Sequence, residues 1–172
     1  LPSGGARLTL TLEQHLLEAQ LLTRVVPAQE EAAYLVAQWR LPAGIWPNAN
    51  VALYRDGALV GQGQLDSEQL ARQGLSFGRD ERVRVSAEPV REHTGYSGLM
   101  QGTTERTVQR SYRIDNRHQQ PITLQVLDAA PVPLNSQIST TSRYQPEPSD
   151  TAWNGDQGTL AFRPYLLLLY QA

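Results

Sequence analysis

Asn50-Val51-Ala52-Leu53-Tyr54-Arg55-Asp56-Gly57-Ala58-Leu59-Val60-Gly61-Gln62-Gly63-Gln64-Leu65 is the stretch that decides the fold class. Two strand-like runs flank Asp56-Gly57. An Asp-Gly pair in that setting predicts a β-hairpin, because a type I′ turn needs positive φ at both central residues. Gly61 and Gly63 mimic the start of a dinucleotide fingerprint. No third glycine and no βαβ unit follow, so they read instead as a bulge or a close approach within a strand.

The same period of two runs outward in both directions. Leu8, Leu10 and Leu12 alternate with Thr9 and Thr11; residues 33–40 read as a largely buried strand that ends at the breaker 42–47; Val83 and Val85 alternate with arginines. Downstream, residues 108–116 and 121–128 read as strands joined by the polar turn Arg117-His118-Gln119-Gln120, and residues 138–144 and 159–163 as further strands around a Pro/Gly-rich loop at 145–158. Helical periodicity is confined to two places. Residues 12–26 fit it in part, although their second half reads better as a strand, and residues 66–73 predict a short helix capped by Asp66 or Ser67. Many short strands separated by turn signals predict an all-β chain, an antiparallel β-sandwich of the immunoglobulin or fibronectin III kind. The pattern fades over Pro89, Gly95, Gly98 and Gly102. That sets an expected junction at 89–103 between two tandem modules, 1–88 and 104–172.

Composition bounds the function. The 172 residues are 40% hydrophobic and 19% charged, which suffices for a packed core. Fifteen basic residues against seventeen acids give a net charge of −2, with no basic excess to hold a nucleic acid. All fifteen are arginine, as expected from a GC-rich bacterial genome. Cysteine is absent, which removes disulfides, thiolate metal sites and a Cys nucleophile together. The apolar run Tyr165-Leu166-Leu167-Leu168-Leu169-Tyr170 is far shorter than the roughly 20 residues of a membrane helix. The opening Leu1-Pro2-Ser3-Gly4-Gly5 has the look of a piece of a longer precursor.

No catalytic, cofactor or metal constellation emerges. Gly95-Tyr96-Ser97-Gly98-Leu99 comes within one residue of a nucleophile elbow, with His93 nearby, but it lacks the last glycine and the strand–turn–helix context. A hydrolase would need Ser97 and His93 within about 3 Å of one another. His15, His93 and His118 have no metal-ligand spacing, and His118 reads as an exposed turn residue. The acidic pairs Glu30-Glu31 and Asp80-Glu81 read as solvated loop charges, since neighbouring strand residues face opposite ways. Of the three tryptophans, Trp39 reads as core, while Trp46 and Trp153 sit in loops and are the candidate partner or ligand contacts. Residues 165–170 are apolar on both faces. They are expected to pair as a strand in a central position or at an interface, with self-association through Leu166, Leu167, Leu168 and Leu169 as one outcome.

The order of several runs carries a resemblance. Residues 34–39 (YLVAQW) are followed by 47–65 (PNANVALYRDGALVGQGQL), 76–85 (SFGRDERVRV), 110–116 (RSYRIDN) and 121–128 (PITLQVLD). In that order and spacing they resemble the C-terminal β-rich domain of the mucoidy inhibitor A-like family, a domain of unknown function, over about residues 30–163. The resemblance implies a larger envelope or periplasmic protein of a Gram-negative bacterium, with a signal peptide, an N-terminal β domain and a coiled coil upstream. It transfers no catalytic residue. The end departs from the family pattern, where Pro164 leads straight into YLLLLYQA. The expected function is a non-enzymatic binding or scaffolding module with no cofactor. A carbohydrate-binding accessory domain using Trp46 and Trp153 is the alternative, and a hydrolase comes third.

Overall fold

The computed structural model describes residues 11–97, 103–153 and 159–167. Its strands are β1 (Gln20–Val25), β2 (Ala33–Gln38), β3 (Ala49–Arg55), β4 (Ala58–Leu65), β5 (Leu75–Arg79), β6 (Val83–Ala87), β7 (Arg91–Ser97), β8 (Thr103–Gln109), β9 (Tyr112–Asn116), β10 (Ile122–Ala129) and β11 (Thr159–Leu167), with one short helix, α1 (Ser67–Arg72). The chain is all-β, as its alternation predicts. Asp66 is the N-cap of α1, its side chain accepting from the backbone N–H of Glu68 and Gln69. Residues 11–19, half of the stretch with partial helical periodicity, carry no regular structure, and β1 begins at Gln20.

The β3–β4 hairpin turns at Asp56 and Gly57, whose φ values of 52° and 81° are those a type I′ turn demands. Its register slips opposite Leu53 and Tyr54, which places a bulge beside Gly61. At Gly63 a Cβ would lie 2.9 Å from a methyl of Leu75 and 3.3 Å from one of Leu53. A side chain there would require the Leu75 methyls to move aside, so glycine lets the hairpin lie close against β5.

Five strands form the main sheet in the order β11-β10-β1-β2-β5. All its pairs are antiparallel except β1 with β10, which run parallel with Thr23 opposite Leu124 and Val25 opposite Val126. This pairing crosses the division expected from the sequence. β1 belongs to 1–88 and β10 to 104–172, yet they are neighbours at the centre of one sheet, so the strands do not segregate into tandem modules. The expected junction instead contains β7, which pairs with β8 just beyond it, from Arg91↔Gln109 to Ser97↔Thr103. Residues 138–144 form no strand, and residues 117–120 are no hairpin turn, because β9 pairs with β6 and β10 with β1 and β11.

One face of the sheet carries Val25, Ala33 and Leu124, all buried. Against it lie Val83 and Val85 of β6, with Ile114 of β9, Ile122 and Val126 packed around them. The β6–β9 ribbon is thus a second layer sharing one core, formed because Val83 and Val85 alternate with solvent-facing arginines. The other face carries Leu22, Arg24, Tyr34 and Val36. The end of α1 and the segment at residue 152 are tied together beside it: Gln38 Nε2 donates to the Arg72 carbonyl, and Arg72 Nη2 donates to the Ala152 carbonyl.

β11 is an end strand, not a central one. Leu124 is opposite Tyr165, Thr123 opposite Leu166 and Ile122 opposite Leu167, while the register slips at Gln125, opposite Arg163-Pro164. Pro164, just before the apolar segment, therefore sits in a β-bulge, where its missing N–H breaks no ladder bond. Leu168, Leu169 and Tyr170 lie outside the described residues.

Candidate functional site

β6 runs into β7 and β8 runs into β9, so residues 83–97 and 103–116 are the two arms of one long hairpin. Residue pairs sum to 199 in β6–β9 (Val83↔Asn116) and to 200 in β7–β8 (Arg91↔Gln109), a one-residue shift between base and tip. Glu88 still pairs in the register of the base, its N–H donating to the Ser111 carbonyl at 2.9 Å.

The base is fastened by a polar cluster that local sequence reading places apart in two exposed loops. Asp80, in the β5–β6 turn, accepts from Thr23 Oγ1 at 3.1 Å, from the Arg82 backbone N–H at 3.2 Å and from His118 Nε2 at 2.9 Å. The His118 contact requires the ring proton on Nε2. Asp80 is not a solvated loop charge: its side chain is only 9% exposed, and that of His118 21%. Thr23, in the middle of β1, is 2% exposed. Three segments meet here: the central strand, the turn that enters the hairpin, and the crossover that leaves it. His118 is held in turn by its own N–H, which donates to Asn116 Oδ1, while Asn116 Nδ2 donates to the Gln120 carbonyl. With its oxygens engaged by three donors, the Asp80 carboxylate acts as a fastening. A polar cavity of about 280 Å3 adjoins it, lined by Glu31, Arg79, Asp80, Glu81, Arg84 and Arg117 among others. Glu31 caps the free edge of β6 by accepting from the Ala87 N–H at 2.7 Å.

The tip is held by much less. Its residues from Arg91 to Thr94, Tyr96, and 104–109 are exposed. One face carries Glu92, Thr94, Tyr96, Thr104, Arg106 and Val108, since residues of even number pair with one another. Tyr96 is 83% exposed and Val108 42%, with Val90 also exposed at the neck. Arg106 Nε and Nη2 bond Glu92 Oε1 and Oε2 at 2.7 and 3.1 Å, a bidentate diagonal pair across the ribbon. The hydrogen bond from Arg106, and then its charge, hold the Glu92 carboxyl below the usual range. Tyr96 and Val108 on an uncovered strand face are the apolar groups a partner would cover. Sequence reasoning missed this ribbon. The β-rich run Thr103-Thr104-Glu105-Arg106-Thr107-Val108 was the available signal.

His93 and Ser97 both lie on β7, four residues apart, so their backbones are about 13 Å apart along the strand. That spacing closes the Ser97–His93 hydrolase arrangement. The two candidate tryptophans have different surroundings. Trp46 is half-buried; its Nε1 donates to the Pro42 carbonyl at 2.8 Å, and His15 packs edge-on with centroids 5.4 Å apart. Trp153 lies on the second face of the sheet, with the Arg24 guanidinium 4.9 Å from its ring centroid. Arg24 also donates to Gln125 Oε1 and to the Gln73 carbonyl. Burial pushes its pKa down to about 10, which leaves it charged at neutral pH. Beside it a cavity of about 530 Å3 is lined by Arg24, Glu30, Tyr34, Val36 and Ser76.

No group of three or more His, Cys, Asp or Glu side chains that could hold a metal ion occurs among the described residues, and no described helix is long and apolar enough to cross a membrane. No curated protein and no solved structure matches the chain. A family model, that of the domain of unknown function DUF4139, matches residues 1–164, and the chain belongs to that family.

Proposed function

We propose that the chain is a non-enzymatic binding or scaffolding module of the bacterial cell envelope, the β-rich part of a mucoidy inhibitor A-like protein, and that the tip of the 83–116 hairpin meets its protein partner. Family membership and the order of runs described above support the first half of this reading. One observation carries the second: a two-stranded ribbon with Tyr96 and Val108 exposed on one face projects from a base that is packed and latched. Rigid frames commonly present such elements for binding. A photo-crosslinking amino acid at position 96 or 108 of the full-length protein, in envelope preparations, should yield a discrete adduct. The same probe at Glu68, on exposed helix α1, should not. Adducts at neither tip position, or equally at position 68, would defeat the reading.

Self-association through the Leu166–Leu169 segment is a second contact we propose. The outer side of β11 pairs with residue 150 at Ala161. Beyond that bridge it has no partner among the described residues. Light-scattering mass should fall when residues 165–172 are deleted; an unchanged mass would remove this contact.

A further inference from the structure

The inward face of the β6–β9 base is apolar; its outward face is the opposite. Arg82, Arg84 and Ser86 alternate there with Arg113, Asp115 and Arg117 on the partner strand, and all but Ser86 are exposed. The register sets Arg84 against Asp115 and Ser86 against Arg113, and Arg117 donates its backbone N–H to the Arg82 carbonyl at 2.8 Å. Four arginines and one aspartate give this face a surplus of three positive charges on a chain whose total is −2, while Glu31 and Glu81 stand at the cavity that Arg84 and Arg117 border. Among the described residues none of the four guanidinium groups has an ion pair or a side-chain hydrogen bond. Arg82 and Arg117 face each other across the ribbon, an arrangement that disfavours the pairing when nothing lies between the charges. Glu81 is adjacent to Arg82 in sequence but forms no ion pair with it among the described residues, and Asp80, two residues before it, is engaged by Thr23 and His118.

We propose that this outer face binds an extended acidic segment of a partner protein, whose carboxylates are taken by Arg82, Arg84, Arg113 and Arg117. Three features choose this occupant. Guanidinium groups take carboxylates through paired hydrogen bonds. Side chains on one face of an extended peptide recur every 6.6–6.8 Å or so, the same interval that separates Arg82 from Arg84 and Arg113 from Asp115 along their strands. An acidic chain with every second residue charged therefore matches the face in register. Asp115, set between Arg113 and Arg117, suits a peptide that offers a backbone or hydroxyl donor at that point, and it opposes an unbroken polyphosphate. The face also lacks any apolar side chain that could enter a lipid surface. This site is separate from the hairpin tip and stands or falls without it.

A fluorescent ten-residue peptide of alternating glutamate and serine, titrated against the whole chain at low and physiological salt, tests the proposal. Binding should weaken as salt rises. It should fall about tenfold or more in the Arg82→Gln, Arg117→Gln double variant, and also in Arg82→Lys, Arg117→Lys, which keeps the charge but loses the fork. Arg143→Gln, outside the face, should leave it unchanged. The glutamine variant relieves a like-charge pair, so its thermal midpoint should hold or rise. Equal binding by the double variant and the parent overturns the proposal. So does tighter binding of inorganic polyphosphate, an acidic oligosaccharide or anionic-lipid vesicles than of the peptide, or a failure of the peptide to bind at low salt.

Discussion

The base and the tip of one hairpin share a chain, a pairing pattern and nearly a register, yet differ in what covers them. In the base, Val83, Val85 and Ile114 meet Val25, Ala33 and Leu124 of the main sheet, and Asp80 ties the entering turn to β1 and to His118. In the tip there are cross-strand pairs and the exposed Glu92–Arg106 bridge. A two-stranded ribbon alone is marginal in water. Ladder hydrogen bonds are similar in both halves, so the covered face and the latch make the difference. The order of stability along the arm therefore runs from base to tip.

The widest gap should come from substituting the shared core and the tip in parallel. Leu124→Ala should cost about 2–5 kcal/mol in urea unfolding, because it opens a cavity beneath Val83 and Val85. Tyr96→Ala should stay within about 0.5 kcal/mol. Equal costs would break the comparison.

The latch should give the next effect. Asp80→Ala strands a buried Thr23 hydroxyl and the His118 ring, and should cost about 1–3 kcal/mol. His118→Ala should cost less, because the Asp80 carboxylate keeps the Thr23 hydroxyl and the Arg82 N–H. A neutral Asp80→Ala would restore the reading of that residue as a loop charge.

That reading shows where the sequence stops being informative. The β3–β4 hairpin is legible because its determinant, Asp56-Gly57, is local. So is the capped helix after Asp66, and so is the inward alternation of Val83 and Val85. The β1–β10 pairing is not, since Thr23 and Leu124 look alike whether they meet or not, and nothing local separates a parallel neighbour from a second module. Asp80 and His118 lie 38 residues apart and each reads as turn chemistry by itself. Pro89, Gly95, Gly98 and Gly102 predict a break, whereas residues 91–97 and 103–109 pair as a ribbon. A ribbon with no buried face shows little hydrophobic alternation, which is the signal on which strand reading depends.

The smallest effect belongs to the Glu92–Arg106 pair. The folded-state pKa of Glu92 is depressed, so its contribution is present above the ordinary glutamate range and is lost as pH falls through the folded value. Both groups are exposed, so salt should weaken the pair as well. Tip resonances in NMR spectra should shift on acidification below that range, while those of Val83 and Val85 hold. Glu92→Gln should remove the tip's response. A base that loosens together with the tip would contradict the separation of the two.

Native-state hydrogen exchange along residues 83–116 tests the central claim most directly. Amides bonded across β6–β9 should exchange only near the free energy of global unfolding, and those bonded across β7–β8 should exchange orders of magnitude faster through local opening. Uniform protection from base to tip would mean that the ribbon is covered or independently stable, and the account of a latched base with a free binding tip would be wrong.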